Sequence, residues 1–464
     1  MAELTDQAKA LRQAAADHTR NIASLCELIR IPSVSSDQEA LITAAEAIRA
    51  ELKESGLQDV RLINGSGVAP YVFAQWIDNP RLPTVMLYAH YDVQPAGERS
   101  QWSSEPFVSI EREGRLYGRG AADDKGGVVA HIAAVRAWLK GVGRLPLNVK
   151  LLIEGEEEIG SKHFAALLDS HAELLKSDVV VIPDSMNWNV GDPSLTCSTR
   201  GAVTAIVELT GVDHSLHSGV WGGLAPDPVM GICQMLSMLV SGDGEVQLES
   251  LRREGRRQLD EREIALRGIT GEEVAIRIGL PKGMSLVGDP NISLADRIWN
   301  EPCITVTGFD APAVNGAPNA IQGVARARIN LRLPPAADPS VVAAQLASYL
   351  ERHTPHGLKC TVTMTSVQAG WVADLGRPEY AAGSRALAAA YERPVSYLGT
   401  GGTLPLLRWI AKFFNNPPCL VLGTEDPMSN AHGPDESLEL ADWHKLCTAQ
   451  TLLLGELSPA NAQF

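Results

Sequence analysis

Residues 148–161 read NVKLLIEGEEEIGS. An aliphatic run, Val149, Leu151, Leu152 and Ile153, meets a glycine and then three consecutive carboxylates, Glu156, Glu157 and Glu158. Such a run bounded by glycine has the signature of a buried strand. Three adjacent carboxylates repel one another and gain nothing from burial. A solvated loop at the strand's end accounts for them in isolation. A cluster of acids held for a cation is the alternative, and the surrounding sequence has to choose between the two.

The same punctuation recurs. Thr84 to Ala89 is an apolar strand pattern running into His90, Tyr91 and Asp92; Asp178 to Ile182 reaches Pro183 and Asp184; Cys419 to Gly423 leads to a loop carrying His432. Tyr71 to Trp76 is a further strand candidate, and KGGVVAHIAAVRAWLKGV, Lys125 to Val142, has the spacing of a helix packed on a sheet. This alternation predicts an α/β domain with a mostly parallel sheet over residues 1–200. Beyond Gly201 the pattern changes. Ala202 to Thr210, Ala325 to Leu333 and Thr361 to Val367 read as strands with one polar face, with helices over Pro228 to Val240 and Pro339 to His353. The charged stretch Glu245 to Ile278 reads as a solvated helical excursion. From about Gly370 the first pattern returns, with helix Pro378 to Tyr391, a GTGGT turn at 399–403, helix Leu404 to Lys412, strand Cys419 to Gly423 and terminal helix Leu438 to Leu457. The organisation expected is a discontinuous α/β domain, 1–200 plus 370–464, interrupted by an α+β domain over 201–369.

Composition narrows the class of partner. The chain has 464 residues, 45% hydrophobic and 20% charged, enough for two or three domains, with a formal net charge of -15 that argues against nucleic acid or an anionic membrane surface. The N-terminal 25 residues have helical periodicity without a signal-peptide core, and no segment approaches the roughly 20 apolar residues of a membrane span. The seven cysteines are scattered and never form a CxxC pair, which suits a reducing, cytoplasmic setting.

In an open α/β sheet, ligands bind beyond the carboxyl ends of the strands. Four such ends here carry His90, the glutamate triplet, Asp184 and His432. GRGAADDKGG, residues 118–127, adds Asp123 just before a helix. There Asp123 or Asp124 could equally be an N-cap, while the glycine spacing fits neither common phosphate-binding loop.

Together these motifs, His-x-Asp after an apolar strand, GRGAADDKG, Glu-Glu-x-Gly-Ser, a later Asp, HSGVWGG and a late His, resemble the dinuclear-zinc metallopeptidases of the carnosine dipeptidase type. The resemblance runs from LIRIPSVSS at 28–36 to His432. It implies a zinc-peptidase-like catalytic domain interrupted by a lid and dimerisation domain. By it, His90 and Asp184 would hold one metal, Glu158 and His432 a second, and Asp123 would bridge them. Two Zn2+ per subunit suit that donor set, as would Mn2+ or Co2+. Asp92 would fix the ligating tautomer of His90. Glu157 matches the general base, and His217 an oxyanion-stabilising histidine that in dimeric relatives serves the partner subunit's site, with His214 as its rival. Arg332 matches the arginine that grips the substrate's free carboxylate, with Gly401, Gly402, Thr403 and Asn319 as further contacts. Relatives of this type carry another histidine after the strand corresponding to Thr361 to Val367. This chain reads VQAGWVAD there, so carnosine itself is not the expected substrate. The expected activity is hydrolysis of dipeptides or similar small amides with a free C-terminal carboxylate, with N-acyl-amino-acid hydrolysis or short carboxypeptidase action as the alternative.

Overall fold

In the computed structural model, which describes residues 4–63, 69–242, 244–251 and 269–459, the opening stretch is the strand Asn148–Glu154 with all seven residues buried. It lies inside a sheet whose spatial order is Asp59–Ile63, Tyr71–Trp76, Asn148–Glu154, Thr84–His90, Val179–Met186, Cys419–Glu425 and Ser194–Thr199. The four strands from Asn148–Glu154 to Cys419–Glu425 are mutually parallel, and their neighbours on either side are antiparallel. Strands buried on both faces are uniformly apolar rather than alternating, because helices cover both sides. Helix Lys125–Val142 supplies one cover: Lys125 through Trp138 are all buried, and Gly143, left-handed at φ 88°, ends the helix by donating to Trp138 O and Leu139 O.

The chain divides into two compact units. The first comprises Met1–Cys197, Ala373–Leu398 and Trp409–Phe464; the second comprises Ser198–Val372 and Gly399–Arg408. Within the second unit an antiparallel sheet runs in the order Cys303–Asp310, Val324–Leu333, Gly201–Thr210, Lys359–Gln368. Strand Val324–Leu333 alternates: Ala325, Ala327, Ile329, Leu331 and Leu333 are buried, and Arg326, Arg328, Asn330 and Arg332 point to the other face. Helices Pro228–Leu239 and Pro339–Arg352 cover the apolar face. Each starts on an aspartate, Asp227 or Asp338, that accepts two backbone N–H groups and precedes a proline, the pairing expected at a helix start.

The charged excursion is corrected in part. Val246, Leu248 and Leu251 are buried in the second unit's core, so the stretch begins as packed structure rather than as a solvated helix. Apolar residues every two or three positions anchor it there despite the surrounding charge. Its end is the short helix Gly271–Arg277, and residues 252–268 lie outside the described residues.

Candidate active site

In the first unit, His90 ends its strand completely buried, and Asp184 sits on the neighbouring parallel strand Val179–Met186. Gly155 follows strand Asn148–Glu154 at a point where a Cβ would collide with the Tyr91 hydroxyl, so glycine alone lets the chain pass. It then turns into the single helical turn Glu157–Ile159, which presents Glu157 and Glu158. Asp123 and Asp124 precede helix Lys125–Val142. Asp124 occupies the N-cap position but makes no capping bond; its carboxylate accepts the His90 backbone N–H at 3.3 Å.

Two groups of potential ligand atoms result, and they share one residue. His90, Asp123 and Asp184 form the first; Asp123, Glu158 and His432 form the second. His90 Nε2 is 3.1 Å from Asp123 Oδ1 and 3.9 Å from Asp184 Oδ2, while His432 Nε2 is 2.9 Å from Asp123 Oδ2 and 3.2 Å from Glu158 Oε2. Tetrahedral zinc bonds of about 2.0–2.1 Å place neighbouring ligand atoms about 3.3 Å apart, so these separations suit such an ion. His90 Nε2 is also buried without a well-directed hydrogen bond. The donor set, imidazole nitrogen and carboxylate oxygen, fits zinc, manganese or cobalt.

The electrostatics agree. Burial opposes a charged His90, yet Asp123, Asp184 and Asp92 outweigh it and hold the imidazolium pKa well above its ordinary value. Asp123 and Glu158 raise His432 to about 11. Burial pushes Glu157 well above the carboxylate range, with Asp184, Asp123 and Glu158 adding and His90 opposing. Without cations, protons compensate the crowded carboxylates.

Asp92 binds through both ends. Its backbone carbonyl lies 3.1 Å from His90 Nδ1 and its Oδ1 lies 3.5 Å away. Its carboxylate accepts the N–H groups of Glu157 at 3.1 Å and Glu158 at 3.2 Å, and the Ser35 hydroxyl at 2.7 Å. It therefore positions the glutamate turn as well as the histidine. Glu156 turns away and pairs with His163 Nδ1 at 2.9 Å.

The second unit gathers the other expected residues. His217 is exposed at the start of the short helix Ser218–Trp221, and its Nδ1 accepts the Gly219 N–H at 3.0 Å. That leaves Nε2 carrying the proton in the neutral ring, as a hydrogen-bond donor. Asn319 is adjacent: its carbonyl accepts from Ser218 N–H and Oγ, and the next residue, Ala320, pairs with His217. His214 lies exposed beside Asp213. Arg332 is half-buried and donates to Thr403 Oγ1 at 3.2 Å, which places it against the GTGGT turn; Gly402 N–H donates to Thr400 Oγ1 at 3.2 Å.

The sequence pattern of Peptidase family M20/M25/M40 matches residues 86–455. The chain belongs to this peptidase family. It is 31% identical over 440 residues to the cysteinylglycine-S-conjugate dipeptidase of Corynebacterium striatum, covering 94% of this chain and 95% of that one. It is 28% identical over 434 residues to the human Beta-Ala-His dipeptidase, covering 89% and 81%. Its fold matches a solved M20 family metallo-carboxypeptidase from Sulfolobus solfataricus with a TM-score of 0.82 at 25% identity, over 94% of this chain and 99% of that one. This peptidase is thus a metal-dependent hydrolase, with candidate metal-ligand groups in its first unit.

Sequence reasoning missed the supports of the centre. Glu436, fully buried, accepts backbone N–H groups from Gly120, Ala122 and Asp123 at 3.0–3.1 Å and pairs with buried Arg119 at 2.7 Å. Arg119 also donates to the carbonyls of Pro95 and His432. One ion pair therefore ties together the loops of Asp123 and His432. Lys125 Nζ donates to Leu28 O and Ile31 O, and Ser33 O accepts from Val93 N–H, fastening LIRIPSVSS to the His90 loop. A charged residue within four positions of a candidate ligand was the available signal: Glu436 follows His432, and Arg119 precedes Asp123.

Proposed function

We propose that this peptidase hydrolyses the amide bond of dipeptides or similar small peptides with a free C-terminal carboxylate. The observation that carries this reading is the pair of ligand groups sharing Asp123, with Glu157 beside them. His90 and Asp184 would hold one divalent ion, Glu158 and His432 the other, and Asp123 both; zinc fits, as do manganese and cobalt. Two such ions supply Lewis acidity to the scissile carbonyl and acidify water. Glu157 then takes a proton on its carboxylate and delivers it to the leaving amine, the exchange suited to a group whose pKa environment raises. Asp92 holds the Glu157 turn in place through its accepted N–H groups. His217 Nε2–H donates to the developing oxyanion. Arg332, with Gly401, Gly402, Thr403 and Asn319, receives the carboxylate.

The chain works as a cytoplasmic homodimer joined through the inserted unit, without nucleic-acid or membrane partners. Seven free cysteines suit a reducing compartment, and strand Cys303–Asp310 stands at a sheet edge with Val306 and Phe309 exposed, ready to meet a second copy. Hydrolysis of N-acyl amino acids or short carboxypeptidase action is the second reading, favoured by the likeness to the Sulfolobus metallo-carboxypeptidase. A screen of free dipeptides against N-acyl amino acids with zinc, manganese and cobalt separates them. Turnover of N-acyl amino acids alone would displace the dipeptidase reading.

A further inference from the structure

Arg200, a residue of the second unit, lies in the chain between strands Ser194–Thr199 and Gly201–Thr210. Its backbone grips the GTGGT turn from both sides, the N–H donating to Thr400 O at 3.1 Å and the carbonyl accepting from Thr403 Oγ1 at 2.8 Å. That hydroxyl is also the one that accepts from Arg332 Nη1 at 3.2 Å. Thr403 therefore bridges the two arginines. The Arg200 guanidinium is directed under the turn. Nη1 donates to Glu301 O at 3.3 Å and meets Cys303 Sγ at 3.4 Å, Nε is buried with no hydrogen-bond partner among the described residues, and a Cβ at residue 401 would lie 2.8 Å from Nη2.

The charges of the two arginines feel one another: burial first, and then Arg200, lower the Arg332 pKa. Among the described residues, neither guanidinium pairs with a carboxylate. Like charges drawn together in a half-buried place repel, and an anion arriving between them removes the repulsion while gaining charge-assisted hydrogen bonds.

We infer that Arg200 is a second guanidinium of the pocket that receives the substrate's terminal carboxylate, and that glycine stands at 401 because any side chain there would displace that guanidinium. The pocket then distinguishes an ionised carboxylate from its neutral amide with two positive charges. This rests on the assignment of Arg332 to the carboxylate.

The test compares a cleaved dipeptide with its C-terminal amide in the metal-loaded enzyme. The natural protein should prefer the acid. Arg200→Met should lower kcat/KM for the acid by on the order of 10–100-fold, the size of a lost charge-assisted bond. The loss should fall on KM and leave the amide unchanged, so the amide reports that the fold is intact. Arg200→Lys should recover part of the loss, since it restores charge without the planar fork. Gly401→Ala should reproduce the loss in the natural background and add nothing to Arg200→Met. An equal loss on acid and amide overturns the inference, and so does an additive Gly401→Ala. If Arg332→Met abolishes the acid preference while Arg200→Met keeps it, the Arg332 assignment stands and the role of Arg200 falls. If the natural protein has no acid preference, both fall.

Discussion

Adding zinc to the metal-free protein at about pH 7.5 should drive about two protons per chain into solution, one from each ligating histidine. His432, lifted to about 11 by Asp123 and Glu158, is fully protonated there in the absence of metal. It is half-exposed, and solvent trims such pairing, yet an effect half as large still leaves the ring charged at about pH 7.5. Burial opposes charge on His90, yet Asp123, Asp184 and Asp92 hold its pKa well above the ordinary value. Ligation needs neutral imidazole, so both protons must leave. Burial and the neighbouring carboxylates also push Glu157 well above the ordinary carboxylate range, so cations that lower it again would release part of a third proton. The sign is fixed: metal affinity rises with pH, by up to about two decades per pH unit for two protons, and levels off as pH approaches the His432 value. In the metal-free fold the raised His432 pKa contributes stability below the ordinary value of about 6.5, lost as pH climbs through about 11. Titration calorimetry in two buffers of different ionisation enthalpy counts the protons. Identical heats in both would show the histidines already neutral and refute the account of a site held by protons.

Substitution within the glutamate turn separates its roles. Glu157→Ala should keep both metals and lose nearly all turnover, whereas Glu158→Ala should lose metal from one site; elemental analysis beside an activity assay shows whether the assignment has slipped by one residue. His217→Ala should cost on the order of 10²–10³ in kcat. If the site is shared across a dimer, mixing it with inactive Glu157→Ala should restore some activity through hybrid dimers, and no recovery after verified subunit exchange counts against a shared site. Glu436→Ala strips buried Arg119 of its partner and three N–H groups of their acceptor, so it should destabilise the metal-free protein by about 3–5 kcal/mol in urea unfolding. A change under about 1 kcal/mol would show that water or rearrangement replaces the pair.

What was legible in the sequence followed from burial. Tyr71–Trp76, Lys125–Val142 and Pro378–Tyr391 fall where apolar periodicity places them, because helices and inner strands leave a strong pattern. Strand Cys303–Asp310 left none: six of its eight residues are exposed, so its place is set by backbone pairing with Val324–Leu333 rather than by an apolar pattern. Helix Gln38–Glu54 and the small sheet of Ile110–Arg112, Arg115–Tyr117 and Ser437–Glu439 also went unread. The ligand candidates were legible because each follows an apolar strand or opens a helix. Glu436, fully buried, and Arg200, partly buried, were not, since such a charge is recognised by its partner, and Arg119, Thr400 and Arg332 are distant in sequence.

The order of the parallel strands also bears on how the protein is made. Cys419–Glu425 is inserted between Val179–Met186 and Ser194–Thr199, strands completed more than two hundred residues earlier. Glu436, which shapes the Asp123 loop, is separated from it by 313 positions. During synthesis the early strands must wait with an open seam, exposing apolar edges of the kind that aggregate and that chaperones cover. A ribosome-bound chain stopped before residue 419 would contain His90, Asp123, Glu158 and Asp184 yet lack both the strand that closes the sheet and the last imidazole. On the proposed ligand assignment, acquisition of the full metal complement is an event of the finished polypeptide.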